Sequence, residues 1–178
     1  MSANATAAPA STMRSAKDQL LVTMEREHAT TMRVLRAFPV EQAELRPHPA
    51  CKTARELAFV FALERGLAQK VYHNAFAKAG PAGVAPTAPE SWTDVLGAIE
   101  QAQRELLTLI QSADEAALGE SVKFFTGPKT MGDYTRLEFL WFLVHDEIHH
   151  RGQFSIYLRM AGGKVPSIYG PSADEPWM

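Results

Sequence analysis

The chain has 178 residues, 46% hydrophobic and 21% charged, which suits one globular domain with a real core. Its net charge of -2, with no Lys/Arg stripe on any predicted face, argues against a nucleic-acid partner, and the single Cys51 excludes both an intramolecular disulfide and a Cys-rich zinc site. No apolar run reaches the roughly 18 residues that span a bilayer, and the opening MSANATAAPASTMRSA lacks the apolar stretch of a secretory signal. The expectation is therefore a cytoplasmic protein with no membrane partner.

Residues 1–15 are small, polar and Ala-rich, and predict a disordered tail. Helical periodicity follows, with Leu21, Met24, His28, Thr31 or Met32, Leu35 and Phe38 on one face and Pro39 at the end. His28 lies inside that apolar stripe, where a satisfied core histidine is the simplest reading. After a proline-containing loop, Thr53-Ala54-Arg55-Glu56 has the form of a capping box. The second helix carries Leu57, Val60, Phe61, Glu64, Leu67, Ala68 and Val71 on one face. Glu64 is the exception in that stripe. An unpaired buried carboxylate costs several kcal/mol, so it must reach solvent, be neutral, or meet a partner.

Residues 80–89 (GPAGVAPTAP) break the chain, and Ser91 with Asp94 suggests the N-cap of a third helix bearing Trp92, Val95, Leu96, Ile99, Ala102, Leu106 and Ile110. Residues 113–135 form a long connection, with a possible helical turn near Glu115 to Leu118 and a hairpin-like crossover in VKFFTGPKTMGDY. A fourth helix is predicted from about Arg136 to Met160, stopped by Gly162-Gly163. The tail, residues 164–178, has no periodicity and is expected to pack across residues 16–163. Four long helices with a long connection before the last imply an all-α four-helix bundle.

The fourth helix carries the run His145-Asp146-Glu147-Ile148-His149-His150-Arg151-Gly152-Gln153. Residues four apart share a helix face, so His145 with His149, or Asp146 with His150, could grip one divalent metal. Phe139, Leu143, Asp146, His150, Phe154 and Tyr157 form the more continuous stripe, which gives Asp146 and His150 the better claim to the interior. Glu64 and His28 lie on inward stripes of two other helices, and bundles build metal sites in this way. A hydrogen-bonded polar cluster without metal is the alternative. A substrate pocket is expected at the bundle end among Phe61, Phe139, Phe142 and His28. Leu20, Val22, Phe142 and Ile156 form a candidate second apolar flank, from which a homodimer is expected.

HHRGQFSIYLRMAGGKVPSIYG resembles the last-helix signature of the DinB superfamily, and MEREHATTMRVLRAFP through LRPHPACKTARELAF is similar to the family's start. The resemblance implies an up-down-down-up four-helix bundle, often dimeric, with a divalent metal held by three inward side chains. Members with known activity include thiol-dependent S-transferases and a maleylpyruvate isomerase. The family pattern places one ligand on the second helix and two on the last, four residues apart. The last of these falls on His150. Four residues earlier this chain has Asp146 where His is usual, and the second-helix His falls on Val60, which cannot bind metal. Glu64, one turn further on, could substitute. The expected ligands are thus Glu64, Asp146 and His150, with His28, His145 and His149 in reserve, and carboxylate-rich coordination points to Zn, Ni, Mn or Fe. The implied activity is metal-dependent conversion of a small molecule, with a low-molecular-weight thiol as candidate co-substrate. The alternative is a non-catalytic, stress-associated binding protein with a degenerate metal site.

Overall fold

The computed structural model describes residues 14–79 and 86–178. Most of the predicted N-terminal tail, and much of the Gly/Pro-rich break, therefore lie outside the described residues. Helix α1 (Ala16–Arg36) starts at Ser15, whose hydroxyl accepts from the Asp18 amide. Helix α2 (Ala54–Tyr72) starts at the Thr53/Glu56 capping box, with both reciprocal hydrogen bonds formed. A short helix α3 (Ala75–Ala79) follows Asn74, whose positive φ turns the chain. Helix α4 (Trp92–Ser112) is capped by Ser91, as its sequence predicts.

The long connection contains the one-turn helix α5 (Glu115–Leu118) and an antiparallel hairpin of β1 (Ser121–Gly127) and β2 (Thr130–Thr135). The hairpin delivers the chain directly into helix α6 (Arg136–Met160). Thr135 and Glu138 form a second capping box at that junction, with the same Thr-x-x-Glu spacing as the first. Gly162, at φ +79°, ends the helix in a conformation that side chains resist. At Gly163 a side chain would collide with Leu158 and crowd the Ala37 carbonyl.

α1, α2, α4 and α6 form a four-helix bundle. Around the ring α6 touches α1 and α2, and α4 touches the same two, so the consecutive helices α1 and α2 lie on a diagonal. End contacts give the directions. Tyr157, near the end of α6, donates to the Lys52 carbonyl just before α2, so those helices are antiparallel. Arg55, at the start of α2, donates to the carbonyls of Ala88 and Pro89 just before α4, so those two run parallel. The approach of Gly163 to Ala37 places the ends of α1 and α6 together. The order is up-down-down-up.

The core divides into two apolar clusters along the bundle axis. One contains Leu35, Phe61, Ile99 and Phe154, and the other Leu20, Val71, Leu106 and Phe139. In every long helix the residues between the two clusters are polar and buried: Glu27 and Thr31 in α1, Glu64 and Arg65 in α2, Gln103 in α4, and Glu147 and Arg151 in α6. Arg151 Nη2 donates to Glu27 Oε2 at 2.7 Å and to the Tyr169 hydroxyl, which itself donates to Glu27 Oε2. Arg65 donates to Gln103 Oε1 at 2.6 Å, to the Phe61 carbonyl at 2.7 Å and to Glu147 Oε2 at 3.0 Å. Thr31 donates to the other Glu147 oxygen. Tyr169 brings residues beyond α6 onto this layer, and Val165 and Ile168 pack on the first cluster.

Three expectations need correction. Leu20, assigned to an exposed flank, is fully buried, while Val22, Phe142 and Ile156 are exposed. Phe61 and Phe139 belong to different clusters and Phe142 faces outward, so these three and His28 do not line a common pocket. The most buried stripe of α6 passes through Leu140, Val144, Glu147, Arg151 and Leu158, and Asp146 and His150 occupy its half-buried flank. No helix of the described residues is long and apolar enough to cross a membrane.

Glu27→Ala would leave the Arg151 guanidinium buried without its carboxylate. The expected loss is about 3–5 kcal/mol in unfolding free energy, measurable by urea denaturation. A loss below about 1 kcal/mol would show that Thr31 and Tyr169 suffice to hold the charge.

Candidate metal centre

Glu64 reaches the edge of the polar layer from the middle of α2, and Asp146 and His150 reach it from one turn of α6. His150 Nε2 lies 3.1 Å from Glu64 Oε1 and 3.7 Å from Asp146 Oδ1. One potential ligand atom from each of the three falls within 4.8 Å of the others. The side chains grade from buried to accessible, with Glu64 9%, His150 20% and Asp146 32% exposed. The site therefore has a closed side against the core and an open side toward solvent.

The electrostatics of the three groups are mutually dependent. Burial raises the Glu64 carboxyl to about 7, against the opposing influence of His150, while the neighbouring Asp146 charge pushes it further up. His150 is raised, chiefly by its contact with Glu64, with burial acting against the shift. Glu64 Oε1 and His150 Nε2 meet at 3.1 Å as an ion pair when the ring is protonated, and neither buried Glu64 oxygen has a well-aligned hydrogen-bond donor among the described residues. A buried carboxylate without aligned donors is matched by a protonated His150 or by a bound cation.

These residues fit a divalent ion. Bonds of about 2.1 Å at a tetrahedral angle set neighbouring ligand atoms about 3.4 Å apart, and the separations of His150 Nε2 from Glu64 Oε1 and Asp146 Oδ1 fall on either side of that value. Two carboxylates and an imidazole form a hard-to-borderline donor set suited to Zn, Ni, Mn or Fe. Val60, one turn before Glu64, contributes no donor, so α2 offers its ligand one turn later than the family pattern.

The reserve histidines lie elsewhere. His145 is exposed beside the Trp141 ring, and His149 is exposed and contacts Gln153. His28 is half-buried with Nδ1 3.3 Å from Arg65 Nη2. Burial first, then the Arg65 and Arg36 charges, lower His28 to about 4, which leaves the ring neutral at pH 7. A helix-face reading centred on Asp146 and His150 passes over Glu147, Arg151, Glu27 and Arg65. The Glu147/Arg151 pair, four apart in register with Leu140, Val144 and Leu158, was the available signal.

His28 also makes the fold acid-sensitive. As pH falls from about 6.5 to about 4, the unfolded chain takes up a proton that the folded His28 refuses, so the His28 contribution to stability declines across that window. Allowing for partial solvent screening, the contribution is about 1–2 kcal/mol. His28→Asn is expected to narrow the difference in urea midpoint between neutral pH and about pH 4.5. An unchanged difference would assign the acid sensitivity to other groups.

Against known proteins, residues 1–177 match the family model described as the DinB family. Among curated proteins, the uncharacterized protein YrdA of Bacillus subtilis is 50% identical over 36 residues, covering 20% of this chain and only 22% of that protein. Among solved structures, a DinB-like protein from Bacillus cereus has a TM-score of 0.70 at 20% identity, over 84% of this chain and 95% of that one. The DinB-like protein YjoA of Bacillus subtilis has a TM-score of 0.65 at 15% identity, over 90% and 99%. YfiT of Bacillus subtilis, described as a probable metal-dependent hydrolase with an unusual four-helix bundle topology, has a TM-score of 0.65 at 14% identity, over 89% and 95%. These structural likenesses establish the bundle. With the family model matched along nearly its whole length, this chain belongs to the DinB family.

Proposed function

We propose that the protein is a metal-dependent enzyme acting on a small molecule, with Glu64, Asp146 and His150 as the protein ligands of one divalent ion. The observation that carries this reading is Glu64, a carboxylate with both oxygens buried and unmatched, facing an imidazole and a second carboxylate at ligand spacing. When bound, a divalent ion supplies Lewis acidity and activates a water or thiol as nucleophile at neutral pH.

The residues around the triad have separable tasks. Glu64 anchors the ion from the closed side. His150 would present Nε2 to it, with the Phe61 ring perpendicular to the imidazole at a centroid distance of 6.5 Å. Asp146, the most exposed of the three, is placed to exchange protons with solvent or with an incoming nucleophile. Three protein ligands leave coordination positions open, as catalytic sites require.

A groove of about 580 Å³ runs beside α2, with Phe59, Val60 and Leu63 as its apolar floor and Lys52 and Arg55 toward one end. That volume is in the range of small-molecule sites. Val60, which lines the groove, is one turn before Glu64 on α2, although none of the three triad residues lines it. Replacing the family's histidine by valine at this position gives up a ligand and gains apolar floor. Glu56 and Glu90 line the groove beside Lys52 and Arg55, and Arg55 is engaged by Glu44, so the arrangement supports a small organic substrate with an apolar body and sets no sign of charge. A low-molecular-weight thiol as nucleophile would make the reaction an S-transfer, whereas water would make it the hydrolysis attributed to YfiT.

The protein grown with supplemented divalent metal should carry about one ion per chain, and His150→Ala or Glu64→Leu should lose most of it. Elemental analysis of wild type and both variants is the measurement. Retention of all the metal by both would remove the ligand assignment, and a metal-free wild type would favour the non-catalytic binding protein.

The reading includes a cytoplasmic homodimer. Val22 on α1 and Phe142 and Ile156 on the adjacent α6 are exposed large apolar residues, and a two-fold contact is the commonest way to cover such a face. Sedimentation equilibrium should return twice the chain mass, shifting to the monomer in Ile156→Glu. A monomeric wild type would discard the dimer.

A further inference from the structure

Gln153 contributes no ligand atom to the triad and is exposed on α6, yet both ends of its amide are engaged. Its Oε1 lies 3.1 Å from His150 Nδ1, and its Nε2 lies 2.9 Å from His149 Nε2. We propose that Gln153 is a positioning residue that fixes the ring plane and proton placement of His150, so that Nε2 is the nitrogen presented to Glu64, Asp146 and a divalent cation. The proposal rests on the metal reading above and adds a residue to it.

The chemistry follows from the donor inventory. A neutral imidazole has one N–H and one lone pair. A ring that coordinates through Nε2 must carry its proton on Nδ1, and that N–H needs an acceptor. The amide oxygen of Gln153 is an acceptor at hydrogen-bond distance from that nitrogen. Its amide nitrogen can only donate and would require the opposite tautomer. Which end of the amide faces His150 therefore decides whether Nε2 is free to coordinate. His149 bears on that choice, because its Nε2 lies where the amide nitrogen of Gln153 needs an acceptor. The spacing makes the arrangement a property of one rigid element: residues 149, 150 and 153 lie within one turn of α6. His149 thus orients the amide, the amide orients His150, and His150 faces the carboxylates.

The test compares wild type with Gln153→Ala, which loses both contacts, and Gln153→Glu, which keeps an acceptor for His150 and loses the donor to His149. Zn²⁺ affinity is measured by competition with a chromophoric chelator. Gln153→Ala should bind Zn²⁺ about 10- to 100-fold more weakly, Gln153→Glu should stay close to wild type, and all three should melt alike because the side chain is exposed. In parallel, spectra of ¹⁵N-histidine-labelled protein without metal, at a pH high enough that His150 is neutral, should show a protected proton on His150 Nδ1 in wild type and Gln153→Glu. That proton should be lost to exchange in Gln153→Ala. An unprotonated Nδ1 in wild type, wild-type Zn²⁺ affinity in Gln153→Ala, or a Gln153→Glu variant as weak as Gln153→Ala would each overturn the proposal. A wild type that takes up no Zn²⁺ at all would instead count against the metal reading, and the metal-free spectra would still decide whether Gln153 holds the ring.

Discussion

Arg151 and Arg65 lie at the centre of the bundle with almost no solvent contact, and a buried guanidinium is tolerated only where carboxylates and carbonyls meet its fixed fork of donors. Meeting that demand takes groups from all four long helices and from Tyr169 beyond them. Glu27 and Thr31 come from α1, the Phe61 carbonyl from α2, Gln103 from α4 and Glu147 from α6. A slip of any one helix along its axis would withdraw a partner from a buried charge. The layer thus ties the four helices to one register. The apolar clusters on either side supply burial without that directionality.

The same layer conditions the candidate metal centre. Glu64 precedes Arg65 in α2, and Asp146 and His150 precede Glu147 and Arg151 in α6. Each candidate ligand is therefore the chain neighbour of a layer residue and inherits its axial position. The two sets differ in how completely their charges are matched. Arg65 and Arg151 are surrounded by acceptors, whereas Glu64 has no aligned donor. A folded protein retains such a group at a cost in stability, and sites that bind cations are where this cost is commonly found.

Lys52, Arg55, Glu56 and the apolar residues Phe59, Val60 and Leu63 line a groove beside α2, N-terminal to Glu64. The half-buried flank of α6 does the complementary work. Asp146 and His150 are partly accessible to solvent, and Nδ1 of His150 meets Gln153 Oε1 at 3.1 Å.

By itself the sequence determined where the helices begin and end, because capping and termination are local. Thr53 and Ser91 each lie within three residues of the amides they satisfy, and Gly162 acts through its own backbone, whereas the Ser15 cap falls in the stretch the sequence assigned to the tail. It also placed Glu64, Asp146 and His150 together, because a carboxylate in an apolar stripe and an i, i+4 pair are both visible in one dimension. What it left open was the rotation of α6. Apolar, acidic and basic residues occur around that whole helix, so periodicity alone does not distinguish the Glu147/Arg151 stripe from the Asp146/His150 flank. Only the tertiary structure settled it, because the partners that make Arg151 and Arg65 burial possible are up to 124 residues away in the chain. The burial of Leu20 and the separation of Phe61 from Phe139 were decided in the same way, by which neighbouring helix covers each face. A face pattern specifies that a residue needs cover, and the packing of the other helices specifies what covers it.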